Sequence, residues 1–271
     1  MQGLEPRDQP VALERLDPLT RGALFHEVQR ELLEELKQKD RLPVSQQSLP
    51  VTLLALDAAL DRKAAQFAED YAPAIERVWK SEVEELRTDL RGWLQHVALH
   101  DMAWKPEHFE LEFHKTAILD GYLVRGAIDV VESGVATPGM LRITDHKTGQ
   151  YPQQPPVYVG GGKTLQPVLY SLAASAELGK PVSSGRLYFC TRRGEFKEID
   201  IRNTPDAAGK LATVLRTVDQ AILEGFLPAA PALKACEYCD YSSVCGPYEE
   251  QRVAKKQRGP LEALKALRSL P

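Results

Sequence analysis

The stretch GAIDVVESGVATPGMLRITDHKTG, residues 126–149, holds two β-favouring runs separated by the Ser133-to-Gly139 turn region. In LRITDHK, 141–147, successive side chains alternate sides, so Leu141, Ile143, Asp145 and Lys147 share one face. Leu141 and Ile143 start that face in the core. It ends as a carboxylate and an ammonium roughly 6–7 Å apart along the strand, where the chain enters a Gly/Pro loop. Asp129 interrupts the apolar run of the preceding strand, and antiparallel pairing sets it beside Asp145. Two such carboxylates repel each other and imply a cation between them, and hard oxygen ligands suit magnesium or manganese. A lysine on the same face stabilises negative charge developing on a phosphate. The competing reading is a surface Asp145-Lys147 pair beside a buried Asp129 balanced by Arg125, and pattern alone leaves the choice open.

Working outward, FELEFHKTAI (109–118) and Asp120-Gly121 complete a three-stranded antiparallel meander. Glu110 and Glu112 read as solvent-facing positions of an alternating strand, with no catalytic role. After the meander come the loop QYPQQPPVYVGGGK, a helix through LQPVLYSLAASAELG, two strands (GRLYFCTR and EFKEIDI) turning at Arg193-Gly194, and a helix from about 205 to 224. A cysteine segment (235–247) and a charged helical tail (248–271) close the chain. Before the meander, Asp17 caps a helix with Pro18 at its first position and Leu24, Phe25, Val28, Leu32 and Leu36 on one arc. Residues 51–101 read as two further helices broken near Ala72-Pro73. The expected architecture is one α/β domain over 1–271, a mixed central sheet flanked by helices, with a helical insertion at 51–101.

The net charge of −4 argues against coating nucleic acid by bulk electrostatics, but not against an enzyme that brings cations to its carboxylates. MQGLEPRDQP lacks the features of a signal peptide, and four cysteines are too few for a disulfide scaffold, so a reducing, cytoplasmic setting is expected. GGGKT at 160–164 is not a phosphate loop, because Val157 stands where glycine is required. The loop around it is expected over the cleft, with Lys163 meeting a phosphate. Arg192-Arg193 and the RVAKKQR run (252–258) are candidates for backbone phosphates, the second also for a solvated helix face.

GAIDVVE, ITDHKTG and Gln166-Pro-Val-Leu-Tyr170 resemble, in this order, the motifs of PD-(D/E)xK nucleases of the RecB and AddB type. RGALFHEVQ resembles the R-G-x-x-x-H helix of that family, and Cys236, Cys239 and Cys245 resemble the cysteine segment of its iron-sulfur members. The resemblance implies a restriction-endonuclease-like core and a DNA nuclease dependent on Mg2+ or Mn2+, an exonuclease rather than an endonuclease. Its setting would be a helicase-nuclease of DNA repair or recombination, with DNA and a helicase domain or subunit as partners. The alternative is a non-catalytic DNA-binding or subunit-interface module that keeps the fold. Carried onto this sequence, the resemblance makes His26, Asp129 and Asp145 metal ligands, with the main-chain carbonyl of His146 a further one, and Lys147 the catalytic lysine. Gln166 and Tyr170 lie one helical turn apart, positioned to hold the lysine or a phosphate.

Thiolates at C-x2-C-x5-C spacing bind zinc or a [4Fe-4S] cluster, and both want four ligands. No histidine follows His146, and Cys190 sits inside a strand where a buried free thiol is the default. A zinc-stapled module of unrelated function therefore stands as a third reading. In the nucleases this chain resembles, the fourth cysteine precedes the R-G-x-x-x-H helix, and nothing upstream of Arg21 is cysteine here. The expectation is a nuclease domain cut from a longer polypeptide, with the fourth ligand missing from this chain.

Overall fold

A computed structural model describes residues 16–239, 241–246, 248–256 and 259–271. Met1–Arg15, and the expectations placed there, lie outside the described residues. Three long helices lead: α1 (Pro18–Gln38), α2 (Leu49–Tyr71) and α3 (Glu76–His100). The Asp17 carboxylate caps α1 by accepting from the main-chain N–H of Leu19 and Thr20 at 2.8 and 3.0 Å, meeting donors the helix leaves unpaired. Pro50 opens α2, and Ala72, in the left-handed region at φ 42°, closes it just before Pro73.

Strands β1 (Trp104–Ala117), β2 (Leu123–Gly134) and β3 (Leu141–Lys147) form the antiparallel meander. Helix α4 (Gln166–Leu178) then crosses over to β4 (Val182–Phe189), which pairs parallel to β3, and β5 (Glu198–Arg202) returns antiparallel. The result is a mixed five-stranded sheet in the order β1-β2-β3-β4-β5. Helix α5 (Pro205–Leu223) follows it.

Apolar side chains make two layers on the sheet. The arc Leu24, Phe25, Val28, Leu32 and Leu36 of α1 is buried with residues of α2 and α3 against Phe109, Val130, Tyr188 and Cys190. Burying each such leucine contributes roughly 1.5–3 kcal/mol. Residues 49–100 thus share one core with α1. On the opposite face, α4 covers Ile128, Val131, Leu141 and Ile143, and α5 covers Leu187, Phe189, Ile199 and Ile201. Gly185 lets α4 approach, because a Cβ there would lie 2.1 Å from the carbonyl oxygen of Pro167. That contact holds the first turn of α4 against the sheet.

Two expectations are corrected here. The tail is not one helix: after α6 (Ser242–Cys245), α7 (Glu249–Val253) and α8 (Glu262–Arg268) are separate, and α7 already ends at Val253, with Ala254 at its C-cap. Nor does the Gly-rich loop drape its Tyr158–Gly162 portion over a cleft. Val159 is fully buried with Leu187 and Ile199, and the main-chain N–H groups of Val159, Gly160 and Gly161 donate to the carbonyls of Pro271 and Leu270. Those donors are spent on the chain itself, and Lys163 stands exposed beside them. No described helix is long and apolar enough to cross a membrane.

Candidate active site

The site forms where β1 and β2 change phase. Phe109 and Val130 pack with the α1–α3 layer, whereas Leu111 and Ile128 pack with the α4 layer. Strict alternation would put 109 and 111 on one face, and 128 and 130 on one face, so both strands slip between those positions. The residues at the slip are Glu110, which adopts a left-handed φ of 48°, and Asp129. They lie opposite one another between the rungs Phe109–Val130 and Leu111–Ile128. His26 reaches them from α1, with Nδ1 at 3.4 Å from Asp129 Oδ2. His26, Glu110 and Asp129 each offer a ligand atom, and these atoms lie within 4.8 Å of one another, the sole such group of three among the described residues.

Asp145 lies one residue beyond the β2–β3 rung Val130–Thr144, on the α4 face with Leu141 and Ile143. It is 4% exposed, and Lys147 Nζ stands 2.6 Å from its Oδ2. The approach is off the line a hydrogen bond requires, so the contact is an ion pair that leaves that oxygen's lone pair free. Lys147 also donates to Gln166 Oε1 at 3.2 Å, and Tyr170, one turn further along α4, packs edge-on to Phe113 at 5.8 Å. Gln166 therefore holds the lysine. The competing surface pair is excluded: Asp145 is buried, and Arg125 is exposed rather than balancing Asp129.

The sequence matches the family model described as the PD-(D/E)XK nuclease superfamily over residues 2–246. The chain belongs to that superfamily. A curated relative, the "Gene 69 protein" of Mycobacterium phage D29, is 29% identical over 143 residues, which is 51% of this chain and 46% of that protein. The matched part thus covers less than half of the relative's length. PD-(D/E)XK nucleases use divalent metal ions, and the donor set fits one. An imidazole nitrogen and two carboxylates converge, and among the described residues no lysine or arginine forms an ion pair with either carboxylate. Burial, then the charge of Asp145, raises the Asp129 pKa to about 8, and burial also raises that of Glu110. A cation placed there relieves both. Burial lowers the His26 pKa against the opposing pull of Asp145, which keeps the imidazole in its neutral, ligating form.

Beside the set implied by resemblance, Glu110 also reaches the site, and Asp145 lies against Lys147 with one oxygen unpartnered among the described residues. Glu110 corrects the solvent-facing expectation, which holds for exposed Glu112. The alternation in FELEF carries no signal of it, because the left-handed turn at Glu110 and the register shift between Phe113 and Thr116 are not written in that pattern. The His146 main chain borders the site, its N–H donating to Asp129 Oδ2 at 2.6 Å. The His146 ring is buried on the helical side among Trp93 and Tyr188, at 5.8 and 5.9 Å. Burial, then His26, holds its pKa well below the usual range.

Arg21 of the R-G-x-x-x-H helix serves the scaffold, pairing with Glu82, Glu85 and Asp89 of α3 at 3.3, 3.2 and 3.0 Å. Asp89 also takes the main-chain N–H and Nε of Arg192, so that arginine is engaged within the protein. Arg252 and Lys256 of the basic run close on Glu249, and residues 257–258 lie outside the described part. Cys190 is fully buried beside the Lys147 carbonyl, and burial raises its thiol pKa. Cys236, Cys239 and Cys245 line one cavity with Glu249 and Glu250, and Glu250 ties the loop by accepting from the N–H of Lys234 and Cys236 at 3.0 and 3.1 Å.

Proposed function

We propose that this nuclease hydrolyses DNA phosphodiester bonds with magnesium or manganese held by His26, Glu110 and Asp129. The observation that carries the reading is the convergence of these three ligand groups beside a lysine seated on a buried aspartate. The cation would supply Lewis-acid polarisation of the phosphate and a more acidic water. Asp145 and Gln166 fix the Lys147 ammonium, which places positive charge where negative charge develops on the phosphate. His26, neutral through burial, and the two carboxylates give a mixed nitrogen and oxygen donor set. All ligand and lysine positions are intact, which favours catalysis over a module that only binds DNA. Exonuclease action beside a helicase partner in repair or recombination is supported by the ordered RecB- and AddB-like motifs.

The experiment is cleavage of end-labelled single- and double-stranded DNA with Mg2+ or Mn2+. Lys147→Ala is expected to lose about 10²–10³-fold in rate, the scale of removing one charge-stabilising donor. Glu110→Ala is expected to lose metal-dependent cleavage as well. Equal rates in wild type and both variants, or no cleavage by wild type under any metal, would overturn the reading.

We also infer a [4Fe-4S] cluster on Cys236, Cys239 and Cys245, supported by the three thiols sharing one cavity. Among the described residues no fourth cysteine joins them, since Cys190 is sealed in the core. Iron with visible absorbance in anaerobically purified protein is the expected result. Stoichiometric zinc without iron would replace the cluster with a zinc centre.

A further inference from the structure

The buried arc of α1 carries one polar side chain. Gln29 is 2% exposed and lies one turn beyond His26, among Leu24, Phe25, Val28, Leu32, Leu33 and Leu36. Neither its amide oxygen nor its amide nitrogen has a hydrogen-bond partner among the described residues. Buried polar groups are ordinarily satisfied, and leaving both ends of an amide unpaired is costly. A leucine would fit the pattern of the arc without that cost. The position is therefore explained by what the amide faces.

Gln29 lines a cavity of about 10 Å3 with His26, Glu110 and Asp129, and with apolar Leu33 and Phe109. That is the space of about one water molecule. The apolar walls offer a water no hydrogen bonds. The polar residues bordering it are Gln29, Arg30, His146 and the three ligand residues.

We propose that Gln29 is a positioning residue of the ion site, its amide holding an ordered water between α1 and the cation bound by His26, Glu110 and Asp129. The inference rests on the metal reading above and names a residue that reading does not use. An amide suits the task because its oxygen accepts a hydrogen bond from the water while its NH2 group donates, and it adds no charge beside two carboxylates. Magnesium and manganese sites keep waters whose positions the protein must fix, and residues that orient such a shell commonly change metal affinity 10–100-fold when removed.

The test is calorimetric titration of Mn2+ into metal-free wild type, Gln29→Leu and Gln29→Met, with thermal melts of each in chelator. Both variants are expected to bind Mn2+ about tenfold more weakly, while their metal-free melting temperatures equal or exceed that of wild type. A merely structural glutamine would leave affinity unchanged, so equal Mn2+ affinity in all three proteins overturns the inference and leaves the ion site standing. Lower metal-free melting temperatures in both variants would show that the amide is already satisfied by protein, and overturn it too. No Mn2+ binding by wild type would overturn the ion site and this inference together.

Discussion

Asp129 keeps its proton to about pH 8 in the metal-free protein, because burial and the neighbouring charge of Asp145 disfavour ionisation. In the unfolded chain it ionises near the ordinary carboxylate value. Between those two pH values the folded state binds more protons than the unfolded state, so this group makes stability fall as pH rises through the window. Asp129→Asn is accordingly expected to melt above wild type in chelator at pH 8, with the gap shrinking toward pH 5. Saturating Mn2+ raises only the wild type and closes or reverses the gap. Melts at the two pH values with and without metal check this, and a gap independent of pH would contradict it. The aspartate was legible from GAID and TDHK, because an acid inside an apolar strand stands out. Glu110 was not, because FELEF presents an unbroken alternation and the left-handed turn at Glu110 that moves it to the ligand group is not written in that pattern.

At the scale of elements, local chemistry is the most legible. Asp17-Pro18 sets the start of α1, and the Asp17 carboxylate meets two N–H groups as the sequence implies. Asp17→Ala should cost about 1 kcal/mol in denaturant unfolding, with the ion site unchanged. The meander was equally legible, since Asp120-Gly121 sits midway between β1 and β2 and the paired strands carry the β-favouring runs. The tail was misread because its charges and leucines suggest one helix, whereas α7 ends at Val253 and α8 begins only at Glu262. The cysteine spacing identified a loop that gathers three thiols on one cavity.

Across the whole molecule, burial of charge is as much a feature as burial of leucine. On the helical face of the sheet, Arg142 grips Glu132 through two contacts at 2.7 and 2.9 Å, and Arg186 reaches Asp101, Glu198 and Glu132 at 2.7, 3.0 and 3.4 Å. Burial alone would raise the Glu132 pKa, but Arg186 and Arg142 outweigh it and hold the carboxylate charged. This network joins β2, β3, β4 and β5 with the end of α3, directly behind the strand that carries Asp145. Arg186→Met would leave Glu132 and Asp101 to share Arg142 alone, and should cost about 3 kcal/mol in denaturant unfolding; a loss under about 1 kcal/mol would show that Arg142 suffices for both. Such pairings join residues up to 85 positions apart and leave no local trace. By itself the sequence determined the order of elements, the helix cap, the turns, the lysine with its aspartate, and the superfamily motifs, because each depends on neighbours a few residues away. Only the tertiary structure decided that Glu110 joins His26 and Asp129, that Asp145 is buried, and that Gln29, unpartnered among the described residues, faces the same cavity. Those outcomes depend on where β1 and β2 change face together beneath α1, and that is set by how two layers pack on the sheet.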